Sequence, residues 1–277
     1  DSILLLASTF LYKVDNNKAI SVYLALLEHV KDRVKKEELL ELLGNTYFKG
    51  GFLQRSNEIF LRILKFSPRN KNALKSLLLV NEKLKNFKKS KEIAQALEEL
   101  NIDVSVEKVY FDTLIILNDP ILSYEKRTEL LFEIFKENKI IQRIFATFLI
   151  QSNREFFFSN IDMFDCEKLI DILWYQKKED IDFDKIKNNQ FLNELYSAKN
   201  YINSVSTSSD FDLNILILIN KYQKDIKTNL TFEFICNSCK HSSPFYEARC
   251  PNCHSILSLE VKHHLTKAYE LSNQSLQ

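Results

Sequence analysis

Two C-x-x-C pairs, Cys236-Asn-Ser-Cys239 and Cys250-Pro-Asn-Cys253, lie ten residues apart near the end of the chain. One such pair alone suits thiol–disulfide chemistry. Two at this separation point to a metal, because each tight turn presents two thiolates and the pairs together can close a tetrahedron with Zn–S near ~2.3 Å. The cofactor expected is one Zn²⁺, or an iron ion in its place, held by Cys236, Cys239, Cys250 and Cys253. Four protein ligands leave no open position for a water or substrate, so the strongest chemical signal argues against metal-dependent catalysis. His241 and His254 adjoin the pairs, but four thiolates already complete the shell. No catalytic residues are expected, since the chain has no Gly-rich phosphate loop, nucleophile elbow or H-E-x-x-H.

The elements that must hold these cysteines are short. Residues 232–235 and 256–261 read as strands, so 231–262 is expected to be a rubredoxin-like or zinc-ribbon module, followed by a tail over 263–277 with a short helix. A unit this small cannot bury enough apolar surface to fold unaided. Structural zinc, with apparent binding energies of about 10–16 kcal/mol in small peptides, would make up the difference. A ribbon can also read nucleic acid, but charge speaks against it here: Lys240, Arg249, Lys262 and Lys267 are offset by Glu233, Glu247, Glu260 and Glu270. Phosphate binding needs a basic face. Rubredoxin-type electron transfer through iron is a third use of such a site, yet no redox domain accompanies it.

Residues 1–230 supply the body of the molecule. Of 277 residues, 45% are hydrophobic and 27% charged, with a net charge of +1, which excludes both a disordered chain and a polycation. Three Gly and four Pro are too few for the turns of an all-β fold, so the fold class is mainly α. Cys166, within the amphipathic stretch 165–174, reads as a small buried hydrophobe. No run approaches the ~20 apolar residues of a membrane span. The chain starts at Asp1 rather than Met, so a targeting or anchor segment is expected to have preceded it.

Internal order is clearest over 37–70. Leu40, Leu43, Gly44, Tyr47, Gly51, Ser56, Phe60, Ile63 and Pro68 occupy the offsets of a ~34-residue tetratricopeptide repeat. Gly44 and Ser56 are small where two antiparallel helices meet, Tyr47, Phe60 and Ile63 fill the space between them, and Pro68 ends the second. Leu74, Leu77, Leu78, Phe87, Ser90, Ala94 and Leu97 repeat the scheme over 71–104, and Ala7, Phe10, Ala19, Tyr23 and Leu26 echo it upstream. Residues 1–104 are therefore expected to form about three helix pairs of a helical solenoid. First helices of such repeats line a groove that binds proteins; its outward positions are Glu38, Glu41, Asn45, Phe48, Asn72, Lys75, Leu79 and Glu82. Lys83, Lys85, Lys88, Lys89 and Lys91 form a basic cluster at a turn.

Over 105–230 the helical pattern continues in degenerate repeats. Asn118-Asp119-Pro120 is a break, Phe156-Phe157-Phe158 reads as core, and Ser204 to Ser209 as a loop. Phe211, Ile215, Leu218, Ile219 and Tyr222 mark a final long helix over 211–226, with a buried strand at 215–219 as the alternative.

Repeats, a further helix and C-x-x-C, ten residues, C-P-x-C near the end together resemble the lipopolysaccharide assembly protein B family. Cys236, Cys239, Cys250, Pro251 and Cys253 match its metal motif. The resemblance implies a non-enzymatic adaptor that links the lipid A precursor deacetylase to a membrane-bound ATP-dependent protease and so limits lipopolysaccharide synthesis. It also implies a place on the cytoplasmic face of the bacterial inner membrane, through an N-terminal helix not present in this sequence. The chain departs from the family's pattern at Lys240, where Gly is common, and at Glu247-Ala248, where aromatics precede the third cysteine. A generic repeat scaffold, its ribbon binding other proteins or nucleic acid, is the alternative.

Overall fold

A computed structural model of the chain describes residues 7–10, 12–13, 15–223 and 228–267. Several of its helices begin where a short polar side chain accepts an otherwise orphaned N–H group of the first turn. Asp15 caps α1 (Asn16–His29), Asp32 caps α2 (Arg33–Lys49) and Asn70 caps α4 (Lys71–Lys83), each accepting from the backbone N–H three residues on. Between them lies α3 (Leu53–Phe66); α5 (Phe87–Glu98) and α6 (Ser105–Leu117) follow. Residues 7–10 are helical as well.

The repeat is visible in the backbone. Gly51 and Lys85, about 34 residues apart as a tetratricopeptide period requires, both take left-handed φ values, 78° and 60°. At each, the following N–H reaches back over the helix end, Phe52 to the Tyr47 carbonyl and Asn86 to the Asn81 carbonyl. The turn that reverses the chain between paired helices thus recurs, and only the first copy uses glycine. Inside the clearest pair, Gly44 and Phe60 touch so closely that a Cβ on Gly44 would fall 2.7 Å from the ring. Ser56 donates its hydroxyl to the Gly44 carbonyl at 2.8 Å, fixing α2 against α3. Leu40, Leu43, Ile63, Leu74, Leu77, Leu78, Ala94 and Leu97 are buried, as their spacing predicts. Residues 3–6 of the expected first helix lie outside the described residues.

Two compact units divide the chain, Asp1–Ile121 and Leu122–Gln277. The first unit, which contains the expected repeats over 1–104, also includes α6. The second unit holds α7 (Tyr124–Glu137), α8 (Gln142–Ser152), α9 (Arg154–Ser159), α10 (Ile170–Trp174), α11 (Phe183–Ile186), α12 (Gln190–Ala198) and α13 (Phe211–Tyr222), with short 3-10 turns between several of them. Its centre is aromatic: Phe135 stacks on Phe164 at 4.6 Å, and Phe145 and Phe157 pack around the pair. Phe157 and Phe158 are buried, as expected of core.

The expected helix forms as α13 and the alternative strand over 215–219 does not; the helix ends at Tyr222, and residues 224–226 of the expected extension lie outside the described residues. The stripe that marks this helix in sequence is not its core face. Phe211, Leu218 and Tyr222 are exposed, and Leu213, Leu216 and Ile217 are buried instead. Both faces carry apolar residues, so periodicity alone could not choose between them.

The same unit contains a three-stranded antiparallel sheet in the order β2-β1-β3, with β1 (Thr228–Cys236), β2 (Ser242–Ser243) and β3 (Leu259–Lys267). Phe232 faces His263, and Cys236 faces Leu259. Strand β3 starts three residues later than expected, because Leu257 sits in a left-handed turn at φ 49°. It also runs further: residues 263–267 are strand where a helical tail was expected, and the remainder of that tail lies outside the described residues. Among the described residues no helix is long and apolar enough to cross a membrane.

Candidate metal centre

The end of β1 delivers Cys236 to the site, and the turn after it delivers Cys239; a second turn carries Cys250 and Cys253. The two turns are built alike. Lys240 donates its N–H to the Cys236 carbonyl at 2.8 Å, as His254 does to the Cys250 carbonyl at 3.0 Å. Cys236 in turn donates to His241, and Cys250 to Ser255, both at 2.9 Å. Lys240 and His254, each one residue past its pair, have φ values of 61° and 62°. This is the left-handed region where glycine is the unstrained choice.

These turns bring all four Sγ atoms within 4.8 Å of one another. A tetrahedron with Zn–S near ~2.3 Å has edges of about 3.8 Å. Cys236 to Cys253 and Cys239 to Cys250 are both 3.7 Å, so the cluster already has the dimensions of a four-coordinate thiolate site. The four cysteines could hold one metal ion, and an all-sulfur set suits zinc or iron. Neither His241 nor His254 belongs to the cluster.

Cys236 and Cys250 are buried, whereas Cys239 and Cys253 reach the surface. Burial alone would raise the Cys236 thiol. The Ser258 hydroxyl and the N–H groups of Cys239 and Ser238 outweigh it and bring the group down to about 6. For Cys250 burial wins and pushes the thiol up to about 11. Ser255 lowers Cys253, and Asn252 lies with its amide 3.5 Å from Cys239. Polar groups thus favour the thiolate form that a metal requires at Cys236 and Cys253, whereas burial opposes it at Cys250.

The ribbon is docked on the helices of its own unit. Phe234, Cys236, Cys250 and Leu259 form a small core, with Phe232, Tyr246 and Val261 packed on it. Beneath them Arg143 of α8 lies 4.0 Å from the Tyr246 ring centroid and 5.2 Å from that of Phe234. Its two terminal nitrogens grip the carboxylate of Asp171 in α10, one at 2.9 Å. Trp174 donates to Asn229 at 2.9 Å, Tyr175 meets Phe232 edge-on, and His263 lies 3.0 Å from Asp210, the cap of α13. Tyr246, just before Glu247-Ala248, supplies the aromatic contact of this loop, meeting Phe234 edge-on.

Sequence reading did not single out Arg143, Asp171 or Tyr246. The available signal was a charged residue inside each of two apolar runs, Arg143 between Ile140-Ile141 and Ile144-Phe145, and Asp171 within Leu169–Trp174. A charge in such a run needs a partner.

The eight expected groove positions lie on α2 and α4. Glu38, Asn45, Asn72 and Lys75 are exposed; Glu41, Phe48, Leu79 and Glu82 are half-buried. Three of them connect successive elements: Glu41 accepts from Asn70 at 2.7 Å, Asn45 from Ser76 at 3.4 Å, and Glu82 from the Tyr110 hydroxyl at 3.2 Å.

Fold and site define a tetratricopeptide-type helical array carrying a four-cysteine ribbon. No family model and no curated protein matches the chain. Among solved structures, a tetratricopeptide repeat protein from Parabacteroides merdae ATCC 43184 matches at 17% identity and a TM-score of 0.47, over 81% of this chain and 87% of that one. The MamA RS-1 ArsTM double mutant matches at 18% identity and a TM-score of 0.41, over 55% of this chain and 83% of that one.

Proposed function

We propose that the protein is a non-enzymatic adaptor, with the groove on α2 and α4 taking a protein partner and a structural Zn²⁺ at Cys236, Cys239, Cys250 and Cys253 holding the ribbon in shape. The observation that carries this reading is the recurrence of the helix pair, which keeps Glu38, Asn45, Asn72 and Lys75 exposed along successive first helices while Leu39, Leu40, Leu43, Ala73 and Leu74 between them are buried. Such arrays bind proteins through extended surfaces. A metal bound by four protein sulfurs has no free position for substrate and would contribute folding energy to the ribbon. The resemblance to lipopolysaccharide assembly protein B names the partners: the lipid A precursor deacetylase and a membrane-bound ATP-dependent protease, met at the inner face of the bacterial inner membrane.

Affinity capture from the protein's own cells tests this, with the parent chain beside Cys236→Ser, Cys250→Ser and a Glu38→Ala/Lys75→Ala groove variant. The adaptor reading expects the deacetylase and the protease with the parent and their loss with the groove variant. Full metal content in both Ser variants would refute the four-cysteine assignment. Recovery of other partners alone would leave a general repeat scaffold.

A further inference from the structure

The turn between α4 and α5 and the end of α6 enclose a cleft of about 660 Å³, within the size range of ligand sites. One wall is basic, formed by Lys85, Lys88 and Lys89; the other is apolar, formed by Phe87, Ile115 and Ile121. None of the eight groove positions lines it.

Charge around the cleft is unbalanced. Among the described residues Lys85, Lys88 and Lys89 are in no ion pair, whereas Lys91 further along α5 is held by Asp112 at 2.5 Å. Of the acidic groups nearby, Asp112 takes Lys91 and Glu82 accepts from Tyr110; Asp119, which accepts the Ile121 N–H at 2.9 Å, is the one carboxylate in the lining and faces three lysines. On the apolar wall Phe87 and Ile115 are half-buried and Ile121 stands free. Ile121 is 90% exposed, and single exposed residues of this kind become informative when they share a cavity with unpaired charge.

We propose that this cleft binds a short acidic segment of a partner protein that also carries a large apolar side chain. Three lysines are flexible point charges suited to carboxylates spread along a peptide, and no arginine offers the planar fork that a single phosphate favours. The concave apolar wall gives the segment's side chain a place to enter. A flat bilayer surface offers nothing to fill that hollow. The site rests on its own residues and stands apart from the groove reading.

The test uses the full chain and a fluorescein-labelled Glu-Glu-Leu-Phe-Glu-Glu peptide, followed by anisotropy at about 50 mM salt, where charge attraction is only partly screened. Saturable binding is expected, weakened about tenfold by the Lys85→Gln/Lys88→Gln/Lys89→Gln triple variant, since three exposed pairs of modest strength are lost. The matching Arg triple restores it, and Ile121→Ser weakens it with the salt dependence unchanged. A Glu38→Ala/Lys75→Ala variant leaves the affinity as it was, which separates this site from the groove. Melting curves matching the parent establish that each variant is folded. No saturable binding, or equal affinity of the Gln triple, overturns the proposal. So does lysine-dependent binding of phosphatidylserine vesicles without peptide binding.

Discussion

Arg143 lies 4.0 Å from the ring centroid of Tyr246 while its guanidinium is held by Asp171. One side chain therefore joins the ribbon to two helices, α8 and α10. Both members of the ion pair are nearly buried, with side chains 12% and 11% exposed. Removing one partner of such a pair leaves the other charge stranded, a larger penalty than the pair's net worth. Arg143→Ala is expected to destabilise the second unit by about 3 kcal/mol. Arg143→Lys should recover little, because lysine keeps the charge but loses both the fork and the stack. Chemical denaturation gives the energy. Hydrogen exchange gives its location, with faster exchange expected in β1 and β3 than in the aromatic centre around Phe135.

A second prediction concerns the two turns that carry the cysteines. Lys240 and His254 hold φ near 60° without being glycine. A left-handed L-residue costs about 1–2 kcal/mol, part of which glycine gives back through its freer unfolded chain. Lys240→Gly and His254→Gly are each expected to stabilise the ribbon by about 0.5–1 kcal/mol. In zinc-loaded protein the double variant should lose metal to a chelator more slowly, followed with a colorimetric zinc indicator. Unchanged or faster release would show that the side chains of Lys240 and His254 contribute more than their backbone strain costs.

Much of this was legible in sequence for a local reason. Cysteine spacing within one turn, and small-to-large spacing within one helix pair, depend on residues close together in the chain, and Cys236 to Cys253 and Gly44 to Phe60 meet as their spacing implies. The docking of the ribbon is different. Arg143 and Tyr246 are 103 positions apart in numbering, and no periodicity links a cation on a helix to an aromatic in a loop. The face of α13 was illegible for another reason: Phe211, Leu218 and Tyr222 are as apolar as Leu213, Leu216 and Ile217, so the burial of one set depends on what packs there. Strand β3 was underestimated because Lys262, His263 and His264 resemble a solvated tail; pairing with β1 makes them strand.

Cys166 offers a pH test. Burial, helped by Asp165 and Asp162, pushes its thiol up to about 12. A thiol so buried is almost wholly protonated at neutral pH and reacts slowly, since the thiolate is the nucleophile. In native protein stripped of metal, iodoacetamide at pH 8 should modify Cys239 and Cys253, which reach the surface, and leave Cys166 intact until denaturant is added, as peptide mass mapping would read. The linkage follows in sign. The folded state keeps the Cys166 proton to a higher pH than the unfolded chain, so the stabilisation is complete below about pH 8.5 and is lost as pH rises towards 12. Cys166→Ala should remove that component, flattening the decline in stability between about pH 9 and 11.

The contact between Gly44 and Phe60 gives the last prediction. Alanine is the better helix former by about 1 kcal/mol, which alone would make Gly44→Ala stabilising in α2. The added Cβ, however, would lie 2.7 Å and 2.9 Å from two atoms of the Phe60 ring, a residue only 1% exposed and without room to retreat. Overpacking of this kind costs about 1–3 kcal/mol, and any separation of α2 from α3 also stretches the bond from Ser56 to the Gly44 carbonyl. Gly44→Ala is therefore expected to lose about 1–2 kcal/mol net. One period later the equivalent positions hold Leu78 and Ala94, both buried, with large and small exchanged. That exchange predicts strong non-additivity: Phe60→Ala alone opens a cavity and costs about 3–5 kcal/mol, but Gly44→Leu/Phe60→Ala should recover at least half of that loss. A double-mutant cycle by urea denaturation measures the coupling; additive losses would show that the repeat tolerates only one order of large and small at this crossing.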